Sequence, residues 1–90
     1  MENLEKTQEA IRLECDDIKN RLLQKNKEYG DSAVNPLRLF SSCDSVEQIN
    51  VRIDDKLSRI RNKGKKEISE DTVFDLIGYL ILKRVAEKLR

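Results

Sequence analysis

Val73-Phe74-Asp75-Leu76-Ile77-Gly78-Tyr79-Leu80-Ile81-Leu82 is apolar at nearly every position apart from Asp75, Gly78 and Tyr79, in a chain of 90 residues of which 39% are charged. Ser69 stands just upstream as a natural N-cap, and Glu70 and Asp71 place negative charge on the first turn, the sign that the helix dipole favours there. The spacing predicts a third helix that must be covered on most sides, by this chain or by a neighbour.

Working back from it, Gly64 is a stop signal for a second helix, and Lys63, Lys65 and Lys66 suit the negative end of its dipole. Val46, Ile49, Ile53, Leu57 and Ile60 form a narrow stripe at helical spacing up to about Asn62, and Ser45 with Gln48 reads as a capping box at its start. Further upstream, Leu4, Ile11, Cys15, Ile18 and Leu22 recur at steps of seven, four, three and four, which predicts a first amphipathic helix over about Asn3 to Lys27. Between these helices, Tyr29 to Pro36 breaks the period. Gly30 admits backbone angles closed to other residues, and Pro36 biases Asn35 away from helix. A shaped loop is expected there, then a short helical turn from Pro36 to Ser42 anchored by Leu37, Leu39 and Phe40.

The fold class that follows is all-α: three main helices and a short turn in one domain over residues 1–90. A chain of this length buries roughly two-thirds of its unfolded surface, so a deep active site of its own is not expected, and a homo-oligomer is the simplest way to cover the surplus apolar face. The charges, 18 basic against 17 acidic, sum to only +1, which argues against a protein that coats DNA or RNA by neutralising phosphates. No apolar run approaches the ~20 residues of a membrane span, and Met1 to Lys6 begins a polar helix rather than a signal peptide; a cytoplasmic location is the simplest expectation.

Histidine is absent and Cys15 and Cys43 are the only cysteines, so the usual nitrogen and sulfur ligands of zinc cannot be assembled within one chain. Both thiols are expected to be reduced and packed. Any metal would need oxygen ligands, as magnesium or manganese prefers. Nor is there a histidine to serve as base for a Ser or Cys nucleophile, a phosphate-binding P-loop or a dinucleotide glycine motif.

The charged residues that remain are arranged in strips. Asp71, Asp75 and Gly78 share one strip of the third helix, and two carboxylates on an otherwise apolar helix need cationic partners, either Arg side chains or a metal. On the second helix, Arg52, Lys56 and Arg59 flank the apolar stripe on one side, Asn50, Asp54 and Arg61 on the other, with Asp55 on the outer face near Arg52 and Arg59. Guanidinium forks suit phosphate, and carboxylates suit a divalent metal. With equal economy, Asp71 serves the helix N-terminus and Asp75 pairs with an Arg to join two helices. Lys25-Asn26-Lys27-Glu28-Tyr29-Gly30-Asp31-Ser32 offers donors, a ring and a glycine that could approach a nucleotide, or simply a helix C-terminus.

That segment, followed by Asn35-Pro36-Leu37-Arg38-Leu39-Phe40, Val51-Arg52-Ile53-Asp54-Asp55-Lys56-Leu57-Ser58-Arg59-Ile60, Glu70-Asp71 and Asp75-Leu76-Ile77-Gly78-Tyr79-Leu80, resembles the family called nucleotide modification associated domain 1, common in bacteriophages and prophages. The resemblance covers roughly Lys25 to Glu87. It implies a phage-type helical protein in a bacterial host that handles a nucleotide-type small molecule, with Lys25, Asn26, Tyr29, Asp31, Arg38, Arg52, Asp55, Lys56, Arg59 and Tyr79 as candidate ligand contacts. A more distant similarity is to the all-α pyrophosphohydrolases of the MazG type, which hold magnesium with a Glu-x-x-Glu helix and a Glu-x-x-Asp helix. Asp75 matches the last of those acids, while Thr72 stands at the preceding Glu position and Asp54-Asp55 departs from Glu-x-x-Glu. If magnesium binds, Asp54, Asp55, Asp71 and Asp75 are the candidate ligands.

Three functions follow as expectations. The first is a protein that sequesters a nucleotide or a nucleotide-derived immune signal, an anti-defence sponge. The second is a magnesium-dependent nucleotide pyrophosphohydrolase or an accessory to nucleotide modification, and the third is a helical adaptor held by interhelical ion pairs.

Overall fold

The computed structural model describes residues 2–64 and 68–89 and is all-α. Three helices follow in chain order: α1 over Glu2–Glu28, α2 over Ser45–Lys63 and α3 over Glu70–Leu89. The chain divides into two compact units, Met1–Gly30 and Asp31–Arg90.

The first unit is α1. Its residues are mostly good helix formers, and the sequence lays acids three or four positions ahead of bases: Glu2–Lys6, Glu9–Arg12, Asp16–Lys19 and Asp17–Arg21 all make ion pairs along its surface. Acid before base is the orientation that also agrees with the helix dipole, and each such exposed pair contributes only about 0.2–0.5 kcal/mol. Leu4, Ile11, Leu13 and Leu23 are exposed, whereas Ile18 is buried.

The second unit is an antiparallel hairpin of α2 and α3. Val46 and Ile49, near the start of α2, meet Ala86, near the end of α3, in a buried cluster, and Ile53, Tyr79 and Leu82 pack against it. Ile49 is 2% exposed and Ala86 1%. A bulky apolar side chain opposite a small one lets the helices approach closely while keeping the interior filled. Val34 also belongs to this cluster, so the connecting segment is pinned by one β-branched side chain.

That segment corrects the expectation of a short helix. Residues 36–42 are not helical, and Leu37, Leu39 and Phe40 are exposed instead of acting as anchors. The turn before them is tighter than a lone glycine would explain: Gly30 and Asp31 both take left-handed backbone angles, φ 60° and 63°. The Asp31 carbonyl accepts the Asn35 backbone N–H at 2.9 Å, and its carboxylate accepts the Asn35 side-chain amide.

The start of α2 is a second correction. Its N-cap is Asp44, whose carboxylate accepts the Glu47 N–H at 2.9 Å, while Ser45 is the first helical residue and is buried. Gln48 does not close a capping box; its side-chain amide donates to the Cys43 carbonyl at 2.8 Å. At the other end, Gly64 at φ 60° returns its N–H to the Arg61 carbonyl, as a helix terminator should. Lys65 and Lys66, read as a basic end to this helix, lie outside the described residues. Ser69 caps α3 as expected, accepting the Thr72 N–H at 3.2 Å and sharing a hydrogen bond with the Thr72 hydroxyl at 2.8 Å.

α3 buries Thr72, Phe74, Gly78 and Ala86. Within the single chain it is not covered on most sides: Val73, Leu80, Ile81, Val85 and Leu89 stay exposed. Cys15 and Cys43 are likewise free and exposed, not packed. Among the described residues no helix is long and apolar enough to cross a membrane.

Candidate functional site

In the hairpin, the antiparallel arrangement that places Ala86 beside the start of α2 brings the far half of α2 to the first turns of α3. Lys56 there meets Asp75, Nζ to Oδ2 at 3.0 Å, with side chains only 12% and 28% exposed. The cation that Asp75 needs is therefore supplied by a lysine of the neighbouring helix, where an arginine was the expected partner. A pair this sheltered is screened less than one in open solvent, yet it has also been partly desolvated. Its net contribution is modest, and removing one partner costs more than the pair itself is worth.

The other acids are differently placed. Asp71 stands exposed in the first turn of α3. Asp54 is exposed on α2, and Asp55 forms an exposed ion pair with Arg59 at 3.8 Å. Among the described residues no three His, Cys, Asp or Glu side chains form a group that could hold a metal ion, so Asp54, Asp55, Asp71 and Asp75 are not gathered as a ligand set.

The outer face of α2 carries a more continuous feature. Gln48, Arg52, Asp55 and Arg59 succeed one another at steps of four, three and four, which puts them on one strip. Arg38, on the segment before α2, is drawn to the head of that strip: its Nε donates to the Cys43 carbonyl at 3.1 Å, the same oxygen that receives Gln48. Arg38 holds this position with a left-handed backbone, φ 40°, unusual for a residue with a side chain. Arg52 is exposed and, among the described residues, Asp55–Arg59 is the ion pair on this strip. Arg52 and Arg59 thus lie on either side of Asp55 along this strip, with Arg38 held at its head by the Cys43 carbonyl; guanidinium forks are the groups that suit phosphate oxygens.

Of the remaining candidate contacts, Tyr79 is half-buried against the core and supports α3 rather than presenting a free ring. Asp31 is engaged by Asn35. Lys25, Asn26 and Tyr29 belong to the first unit, where the Tyr29 N–H closes onto the Lys25 carbonyl at 2.9 Å and the Tyr29 ring is exposed.

Two features here escaped the sequence reading. The Asp44 cap was marked by Asp44 followed three residues later by Glu47, a signal masked by the adjacent Ser45 and Gln48. The shared Cys43 carbonyl left no mark, because an acceptor on the backbone is common to every residue. Comparisons of the chain with protein-family models, with curated proteins and with solved structures found no match.

Proposed function

We propose that the chain is a nucleotide-binding protein that holds its ligand and releases it unchanged. The observation that carries this reading is the strip of Arg38, Gln48, Arg52, Asp55 and Arg59 along the hairpin. Arg52 and Arg59 would fork onto phosphate oxygens, Arg38 would extend the positive surface, and the Gln48 amide and Asp55 carboxylate would supply polar groups for a sugar or base edge. The motif series that resembles the nucleotide modification associated family includes Arg38, Arg52, Asp55 and Arg59 of this strip and supports a nucleotide-type ligand. In a phage setting, a ligand held without turnover is a signal withdrawn from the host, the sponge reading.

Sequestration is favoured over hydrolysis by the state of the acids. Asp75 is occupied by Lys56, and the four carboxylates that a magnesium-dependent hydrolase would use are not gathered among the described residues. A helical adaptor is the second reading, and the Lys56–Asp75 joint between α2 and α3 is the observation that favours it.

One experiment separates the three. The purified chain is incubated with magnesium and a panel of nucleoside phosphates, cyclic nucleotides and ADP-ribose derivatives, then denatured, and the released small molecules are identified by chromatography and mass spectrometry. Depletion followed by intact recovery, lost in Arg52→Ala, is the expected result. Conversion to products would establish the hydrolase instead, and no depletion across the panel would leave the adaptor.

A further inference from the structure

The face of α1 that remains open is patterned for a second copy of itself. Leu4, Gln8, Ile11, Cys15, Ile18 and Leu22 follow one another at alternating steps of four and three, the spacing of a coiled-coil seam. Leu4 and Ile11 are both 57% exposed, and Cys15 is exposed as well. Ile18 is buried and Leu22 half-buried, so the open stretch of the seam runs from Leu4 to Cys15. From its position in the repeat, Leu4 and Ile11 occupy one core position and Gln8 and Cys15 the other. Glu14 flanks the seam on one side, and Arg12 and Lys19 flank it on the other.

We infer that two copies of the chain associate through α1, side by side and parallel, with each seam residue facing its own counterpart. Gln8 decides the orientation. In the parallel arrangement its amide faces the second copy's amide, and each can donate and accept. An antiparallel arrangement over the same stretch would set the Gln8 amide against Ile11, burying a polar group without a partner, which is costly. Charge agrees with the parallel form, which brings Glu14 of each chain toward Lys19 of the other. Among the described residues Glu14 has no ion-pair partner within its own chain, and the Lys19 contact to Asp16 is a long surface pair at 3.4 Å, easily exchanged. The inference concerns the first unit alone and stands whatever the hairpin binds.

Cys15 makes the geometry readable. Counterpart residues at a seam layer lie within the separation that a disulfide spans, whereas the antiparallel form places Cys15 opposite Leu4. The test uses the full chain carrying Cys43→Ser, which keeps the Cys43 backbone carbonyl in place. Sedimentation equilibrium under reducing conditions should show a mass that rises to that of a dimer with concentration, and a glutathione redox buffer should then yield a chain linked through Cys15. Adding Ile11→Glu, at an exposed position, should weaken association roughly tenfold or more, and Gln8→Ile should strengthen association. A chain that stays monomeric to millimolar concentration overturns the proposal. So does a dimer indifferent to both Ile11→Glu and Gln8→Ile, which would use another face, or a dimer whose Cys15 thiols fail to link, which would not be parallel.

Discussion

Single residues in the hairpin differ widely in what they hold. Ile49, 2% exposed between α2 and α3, is the side chain that both helices close upon. Truncation to alanine removes its transfer free energy and leaves a cavity, so Ile49→Ala should cost about 2–4 kcal/mol, read as a lowered midpoint in urea unfolding. Asp44 acts on the backbone: its carboxylate satisfies one of the N–H groups that the start of α2 would otherwise leave without a partner. Asp44→Ala should lose about 0.5–2 kcal/mol, while Ser45→Ala, just beyond it, should not reproduce a cap deletion. An equal effect of the two changes would mean that the cap had been assigned to the wrong residue. Much of this was legible in advance. Gly64 and Ser69 announced their roles through residue type alone, because few residues tolerate a left-handed backbone or offer a short side-chain acceptor at a helix start. Asp44 and Ser45 are both good caps, and adjacent equivalents are told apart only by which one the helix actually begins after.

At the level of elements, the described contacts that join α2 and α3 include an apolar cluster near one end and the Lys56–Asp75 ion pair toward the other. The Lys56–Asp75 pair is sheltered enough that leaving either charge alone is unfavourable. Lys56→Met and Asp75→Asn should each destabilise the hairpin by about 1–3 kcal/mol, and the double variant should lose less than the sum. A double-mutant cycle by chemical denaturation checks it. Additive losses would show that the two side chains do not act as a pair. The strip along the outer face of α2 obeys a different logic. Its members are solvent-exposed, so Arg52→Ala and Arg59→Ala should leave stability nearly unchanged, and any loss they cause should appear in ligand retention. The helical spacing of Arg52, Asp55 and Arg59 placed them together from sequence. Arg38 joined them only because the chain before α2 folds back to share the Cys43 carbonyl.

For the molecule as a whole, the abundance of charge is nearly self-cancelling. A net charge of +1 provides little long-range repulsion between copies. Association driven by apolar side chains such as Leu4 and Ile11 should therefore change little as salt rises from about 0.05 to about 0.5 M, a range over which exposed ion pairs are increasingly screened. Sedimentation at the two concentrations gives the comparison, and a steep loss of mass with salt would assign the association to charge instead.

The amino-acid sequence by itself determined the three main helices, both ends of α1 and α2 and the start of α3 to within a residue or two, and which side chains lie on each helical strip, but it also suggested a short helical turn at Pro36 to Ser42 that does not form. Those properties follow from local periodicity, from capping chemistry and from the few residues that break a helix. Tertiary structure alone decided that Asp75 meets Lys56, that Val34 and not Phe40 pins the connecting segment, that Tyr79 serves the core, and that α3 keeps an exposed apolar side. Each of these depends on which faces of two distant segments close on one another. That choice is made by the fit of Ile49 against Ala86, a steric match between residues far apart in the chain that no local pattern encodes.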